Sequence, residues 1–251
     1  SQITVSGEFG IRIQDDRKYK QNSYSIRFYP AVSEGAITHS ELTLDFEVRK
    51  PVSEPVDLRA AANMGFRDGQ ADDGKGGWTD QGPRNDLAAM TTGMQTLAGI
   101  RYDVIDPAEN SGRSCIVLAD PKFRRYPASA PVQLRGKAPG EWLYLLHASA
   151  WTPKFSEPVG EIAVEYADGT VQRIPVLSGR DCGNWWRPAA LENGAVAFSA
   201  DSNGERVGLY SSGFRLAGRE PRRITFTPAP HTVWMIAGVS FADRRVLQTQ
   251  P

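Results

Sequence analysis

The chain has 251 residues, in which 29 lysines and arginines balance 29 aspartates and glutamates. A neutral chain offers no broad basic surface, so neither a nucleic acid nor an anionic membrane is expected as a partner. No stretch approaches the roughly 20 apolar residues that span a bilayer, and the first residues lack a signal-peptide pattern. We therefore expect a soluble chain whose export signal, if any, has been removed.

Short apolar or alternating runs occur along the whole chain, and helical periodicity is almost absent. Runs of this length between glycine, proline and asparagine predict the strands of an all-β sandwich or jelly roll. The predicted strands, in chain order, are 11–13, 24–29, 42–48, 116–118, 143–146, 162–166, 171–176, 196–198, 207–210, 223–227 and 233–239.

Two prolines and charged residues at 50–55 indicate a domain boundary or linker. The few strands before it cannot bury a face on their own. Residues 1–52 are therefore interpreted as extra N-terminal strands that pack onto the main domain, or as the end of a neighbouring sandwich. The main domain is predicted over residues 56–251.

The most informative stretch is the polar loop 72–86, which combines carboxylates, amides, glycines and one tryptophan. Hard cations such as calcium take carboxylate and carbonyl oxygens, so Asp72, Asp73 and Asp86 are candidate ligands of a structural calcium. A turn-rich loop whose acids cap their own backbone is the alternative. The same mixture also suits a sugar, which needs an indole face beside hydrogen-bonding groups.

A β-hairpin is predicted over 161–176, because Asp168-Gly169 separates two alternating runs. Pro175 cannot donate a ladder hydrogen bond, so its strand should lie at a sheet edge or end there. A second polar loop follows at 179–188 and contains Trp185 and Trp186. Neighbouring residues of a strand face opposite sides, so one indole should point to the core and the other to the loop surface.

Loop carboxylates also leave glycoside hydrolysis open, since that reaction uses a pair of acids. A nucleophilic triad is not indicated, because no Gly-x-Ser-x-Gly elbow is present. His147 lies in or at the end of a strand, where it is either a core histidine with one hydrogen bond or a sugar-contacting residue. The two cysteines exclude a disulfide framework and a cysteine-based zinc site, but leave a Cys115–Cys182 bridge open against two free thiols.

Several stretches together resemble one family. They are Trp142 to Trp151 (WLYLLHASAW), Val164 to Thr170 (VEYADGT), Ile174 to Val176, the Trp185-Trp186 pair and the string DDGKGGWTDQGPRND at 72–86. Over residues 56–250 the chain is similar to the galactose-binding-like jelly rolls attached to bacterial polysaccharide-degrading enzymes. The resemblance implies a non-catalytic sandwich that binds saccharide at one tip and often carries a structural calcium.

We accordingly predict a carbohydrate-binding module, secreted or periplasmic, whose partners are an oligo- or polysaccharide and a catalytic domain of the same parent protein. A glycoside hydrolase or polysaccharide lyase, and a purely structural sandwich between domains, are the alternatives. No catalytic residue is assigned. The candidate ligand residues are Trp78, Asp80, Gln81, Asn85, Asp86, His147, Trp151, Arg180, Asp181, Asn184, Trp185 and Trp186.

Overall fold

The structure, a computed structural model, describes residues 51–134 and 140–246 in full. Within the first fifty residues it describes the backbone of β1 (Ile3–Thr4), β2 (Phe9–Asp15), β3 (Tyr24–Pro30) and β4 (Asp45–Phe46). Strand β1 pairs with β4 and β2 with β3, both antiparallel. The chain separates into two compact units, Ser1–Lys50 and Pro51–Pro251. Apart from β4, the predicted strand 42–48 lies outside the described residues.

The described residues of the second unit form twelve strands. They are β5 (Ser53–Pro55), β6 (Gly93–Leu97), β7 (Ile100–Val104), β8 (Ile116–Ala119), β9 (Ala130–Gln133), β10 (Trp142–Ala150), β11 (Pro158–Tyr166), β12 (Val171–Leu177), β13 (Gly194–Ser202), β14 (Glu205–Arg215), β15 (Pro221–Pro228) and β16 (Val233–Ala242). One turn of 3-10 helix, Pro107–Glu109, follows β7.

Two antiparallel sheets form this unit. The larger has the order β13-β14-β10-β16, with β5 and β8 both paired to β16, and the smaller has the order β12-β11-β15-β9. Strands β6 and β7 form a separate hairpin. All of these pairings are antiparallel, as expected for a β-sandwich.

Alternate residues of the larger sheet face the smaller sheet. Leu143 and Leu145 of β10 join Ile162 and Val164 of β11 in one buried cluster. The sheets approach so closely at Gly160 that a Cβ there would lie 2.6 Å from the Trp234 ring. Glycine is therefore required at this position, and the two sheets share one apolar core.

The opposite face of the larger sheet is also covered. Tyr144 and Leu146 of β10 pack in a second buried cluster with Trp78, Tyr102 and other residues from the segment before β8. Strand β10 is buried over nearly its whole length, because both of its faces carry a core. The polar loop 72–86 therefore lies on the outer face of the larger sheet.

The predicted strands that fall on described residues are confirmed, and so is the hairpin, which forms from β11 and β12. Gly169 adopts a left-handed φ of 81° at the turn. Pro175 lies on β12, an edge strand of its sheet, as predicted. The predicted linker 50–55 contains β5, which pairs with β16 and belongs to the larger sheet.

Both cysteines are free and buried, which removes the disulfide alternative. Cys115 packs in the outer core cluster and Cys182 in the cluster between the sheets. Among the described residues, no helix has the length and hydropathy needed to cross a membrane.

Candidate functional site

Four loops meet at one end of the sandwich, which we call the tip. Ala119 and Ala150, the last residues of β8 and β10, both pair with Val233, the first residue of β16. Leu177 at the end of β12 pairs with Pro158 at the start of β11. The tip therefore consists of the loops 120–129, 151–157, 178–187 and 229–232.

Asp181 holds the loop 178–187 in shape. Its carboxylate accepts hydrogen bonds from the Leu177 backbone N–H at 2.8 Å, the Asn193 amide at 2.9 Å and Arg180 Nε at 3.2 Å. The residue is fully buried, so a charge at this place needs all of these donors. Asp181 was a predicted ligand residue, but the structure gives it a structural role.

His147 is fully buried beneath the same loop. Trp234 Nε1–H donates to His147 Nδ1 at 3.1 Å, and His147 Nε2–H donates to the Asp181 carbonyl at 3.0 Å. The indole can only donate, so this arrangement defines the neutral tautomer. Burial lowers the pKa of His147 from 6.5 to about 4. Of its two predicted roles, this burial agrees with the core histidine and not with the sugar-contacting residue.

The two tryptophans of this loop diverge as predicted. Trp185 is 3 % exposed, whereas Trp186 is 39 % exposed. The Trp185 backbone accepts from Gly208 N–H at 2.8 Å and donates to the Ser149 carbonyl at 3.0 Å, which fixes the loop between β10 and β14. Only Trp186 offers its ring to a ligand.

Trp78 joins the two polar loops, but within the core. Its ring lies 5.1 Å from the Trp185 ring in an edge-on arrangement, and it is fully buried. This contact joins the two polar loops inside the core. The stacking role predicted for Trp78 and Trp185 is not compatible with their burial, because neither indole has an open face.

Trp151 anchors an aromatic cluster on the tip. Its ring is 36 % exposed and contacts Phe123 edge-on at 5.7 Å, and Phe123 in turn lies 5.6 Å from the His231 ring. The Arg124 guanidinium lies 4.2 Å over the Trp151 ring. Trp151 and His231 both adopt left-handed φ values, 49° and 55°. Such backbone strain in two non-glycine residues is common at binding sites.

Phe155 adds a third exposed ring, at 65 %. It lies against Gly179, where a Cβ would approach the ring to 2.3 Å, so only glycine fits beneath it. Ser156 N–H donates to the Ser178 carbonyl at 2.9 Å and ties this loop to the next one. All exposed phenylalanine, tyrosine and tryptophan side chains of the described residues, namely Trp151, Phe155 and Trp186, therefore lie on the tip.

The acids of the loop 72–86 mostly cap their own backbone. Asp80 accepts from the N–H groups of Asp73 and Gly74 at 3.1 and 3.0 Å. Asp86 is buried and accepts from Asp68 N–H at 3.2 Å and Ala88 N–H at 3.1 Å. Asp86 is thus a structural residue, and neither the ligand role nor the metal role predicted for it agrees with its position.

A different acidic set comes together in this loop. Carboxylate oxygens of Asp68, Asp73 and Asp80 lie within 4.8 Å of one another. Burial, with further contributions from the charges of Asp68 and Asp73, raises the pKa of Asp80. The Tyr126 hydroxyl has no hydrogen-bond partner in the described residues, and its pKa is raised by burial and by the charges of Asp80 and Asp68. Asp72, a predicted metal ligand, is exposed and outside this set.

The other predicted ligand residues remain accessible. Gln81, Arg180 and Asn184 are exposed and Asn85 is half-buried. The Asn184 side-chain oxygen accepts a hydrogen bond from Trp186 N–H at 2.9 Å and fixes the backbone at Trp186. Arg180, Asn184, Trp151 and Trp186 are brought together on the tip, whereas Gln81 and Asn85 lie on the first polar loop.

A groove of about 730 Å³ borders the other edge of that first loop. Met64, Phe66 and Met90 line it together with Arg67, Lys75 and Arg113. None of its lining residues belongs to the tip loops. The groove was not predicted, because its walls come from separate segments without a shared motif.

Sequence reasoning also missed Phe123, Arg124, Phe155 and His231 on the tip, and Asp68 in the acidic set. An aromatic residue beside a basic one between two strands was the available signal for Phe123-Arg124. No such signal marks His231 or Phe155, because their neighbours come from other loops. A comparison with protein-family models finds no match, and a comparison with curated protein sequences finds no significant one.

Proposed function

We propose that this chain is a non-catalytic carbohydrate-binding module that binds saccharide on the tip. The observation that carries the proposal is the gathering of Trp151, Phe155 and Trp186, all exposed, on the loops of one end. An exposed indole presents a flat apolar face, and sugar rings have a matching C–H face. Isolated exposed apolar residues need no explanation, but three large rings at one end do.

Trp151 and Trp186 lie close enough to share one ligand. Ser149 and Asn184 form a parallel bridge, and each indole lies two residues beyond it. Two residues span at most about 7 Å and neighbouring strands are about 5 Å apart, so the two Cα atoms lie within about 19 Å. The two residues therefore lie within the length of one oligosaccharide, which is a more suitable ligand than a single sugar.

Polar groups beside the rings suit hydroxyl recognition. Among the described residues Arg124 makes no ion pair, and its guanidinium stacks on the Trp151 ring, so its N–H donors are not taken up by a carboxylate. Arg180 and Asn184 are exposed next to Trp186. A few oriented donors and acceptors around an apolar face are typical of sugar sites.

Calcium is proposed as a structural ion in the first polar loop. The donor set fits, because Asp68, Asp73 and Asp80 supply three carboxylates at short mutual distance and calcium prefers oxygen ligands. The ion would neutralise their mutual repulsion and hold the loop whose Trp78 supports Trp185. We also propose a secreted or periplasmic location and attachment to a polysaccharide-degrading enzyme, as the family resemblance implies.

A glycan array followed by calorimetry on the hits tests the proposal. The Trp151→Ala/Trp186→Ala double variant should lose at least about tenfold in affinity, which corresponds to about 1.4 kcal/mol, because both indole faces are removed from the contact. Met94→Ala, which removes an exposed apolar side chain away from the tip, is the matched control and should bind as the wild type does. Equal binding by the double variant would reject the tip as the site.

A glycoside hydrolase remains the alternative, and one observation favours it. Asp80 has a raised pKa beside two further carboxylates, which is the setting of a general acid. The same hits should be incubated and assayed for reducing ends and unsaturated products. Release of product by the wild type and its loss in Asp80→Asn, with affinity retained, would favour the enzyme.

A further inference from the structure

The groove beside Gly74, Lys75 and Gly76 carries a local charge that the rest of the chain does not share. Three cations, Arg67, Lys75 and Arg113, line it, against the single carboxylate of Asp106. The whole chain, in contrast, has equal numbers of acidic and basic residues. The excess of positive charge is therefore a property of this groove.

These cations are not used to stabilise the fold. Among the described residues, neither the Arg67 guanidinium nor the Lys75 ammonium has an ion pair or hydrogen bond, whereas nine other charge pairs are formed. Arg113 makes one long bond, from Nε to the Asn110 carbonyl at 3.4 Å. The three side chains come from three separate segments and are all exposed.

The one acid in the groove is already engaged. Asp106 accepts from Ala108 N–H at 2.9 Å, where it caps the 3-10 turn. The nearby Asp73 accepts from the Lys75 backbone N–H at 2.8 Å, and Asp80 accepts from Gly74 N–H, so both serve the loop backbone. Within the part of the chain that the structure describes, none of the three cations lies at ion-pair distance from a carboxylate.

The floor of the groove is apolar. Met64, Phe66 and Met90 line it and are nearly buried, with exposures of 6, 4 and 7 %. The volume of about 730 Å³ lies within the range of about 300 to 1,000 Å³ that small-ligand sites occupy. An apolar floor with a cationic rim suits a ring-shaped ligand that carries an anionic group.

We propose that this groove is a second binding site, which takes an acidic saccharide unit through its carboxylate or sulfate group. The inference rests on the proposed function, since it assumes a saccharide ligand, but it places a different set of residues in contact with it. Arg67, Lys75 and Arg113 would hold the anionic oxygens with charge-assisted hydrogen bonds. The sugar ring would lie in the groove between these cations, above the buried side chains of Met64, Phe66 and Met90.

Calorimetry with three oligosaccharides of equal length tests this: one of uronic acid units, one sulfated and one neutral. The wild type should bind at least one acidic oligosaccharide about tenfold or more tightly than the neutral one, because hydrogen bonds to charged groups are the stronger kind. The preference should shrink between low and high salt. The uronic acid and sulfated arms identify which anionic group is bound.

Arg67→Gln/Lys75→Gln should abolish the preference without lowering the melting temperature, because these side chains make no contacts that the fold needs. Arg222→Gln, an exposed cation on β15, is the matched control and should leave the preference intact. Equal binding of acidic and neutral ligands by the wild type would overturn the inference.

Different results would reject the tip and the groove as binding sites. If an acidic preference is lost in the Trp151→Ala/Trp186→Ala variant and kept in Arg67→Gln/Lys75→Gln, the anionic group is read by the tip and the groove is not a site. If the groove variant alone abolishes all saccharide binding, the tip proposal fails and the groove stands.

Discussion

His147 should make the stability of this protein depend on pH between about 4 and 6.5. In the folded state Nδ1 accepts from the Trp234 indole, so a proton there would face another donor at 3.1 Å. Burial lowers the pKa of His147 from 6.5 to about 4. Because the unfolded chain binds the proton from about pH 6.5 downwards and the folded chain does not, the free energy of unfolding falls as the pH decreases through this window.

The expected loss is about 2 kcal/mol between pH 7 and pH 5, and about 3 kcal/mol once the window has been crossed. Urea unfolding at pH 7, 6 and 5 measures it in the wild type and in His147→Gln, which cannot titrate. His231→Gln removes an exposed histidine and is the control. The difference in unfolding free energy between wild type and His147→Gln should shrink by that amount on acidification. Parallel pH profiles for these two proteins would refute the reasoning.

Three further predictions follow from the site. Trp185→Ala should cost about 3 to 5 kcal/mol of unfolding free energy in denaturant titrations. Trp186→Ala should leave the unfolding free energy nearly unchanged and weaken saccharide binding. Equal costs in the two variants would mean that both indoles are core residues. Asp181→Ala should cost about 3 kcal/mol, because it strands buried donors, and an unchanged denaturation midpoint would contradict this. A chelator should lower the melting temperature, and added calcium should restore it. At a calcium concentration a hundredfold above Kd, binding should add about 2.7 kcal/mol to the free energy of unfolding. Asp68→Asn should remove this response. A melting temperature that changes with neither chelator nor calcium would contradict the proposed calcium site.

Local patterns predicted the strands well, because alternation and turn residues act over a few positions. The Asp168-Gly169 hairpin and the opposite burial of Trp185 and Trp186 are both consequences of the two-residue period of a strand. Trp78 could not be placed in this way. Its polar neighbours predicted an exposed position. A loop that covers a sheet face must, however, pack an apolar side chain against that face, and in this loop the side chain is Trp78.

The site itself was only partly predictable. Trp151, Trp186, Arg180 and Asn184 were correctly expected to be accessible, since they lie at or beyond strand ends. The contacts of Trp151 with Phe123 and Arg124 required knowledge of which loops share an end, and that depends on strand order. The same holds for the groove, whose three cations are brought together only by the path of the chain between β5 and β8.

The sheet holds the Trp186 loop by its main chain. His147 and Ser212 donate to the Asp181 carbonyl, Ser149 donates to the Gly183 carbonyl at 3.0 Å, and the Tyr210 hydroxyl donates to the Asn184 carbonyl at 2.8 Å. Every residue has a backbone carbonyl, so these hydrogen bonds do not depend on the type of side chain that points outwards. Trp186 can therefore be exchanged for other residues while the loop keeps its path, whereas Arg180 and Asn184 also bond within the loop through their side chains. The tip is suited to libraries in which binding specificity is redesigned on a constant frame.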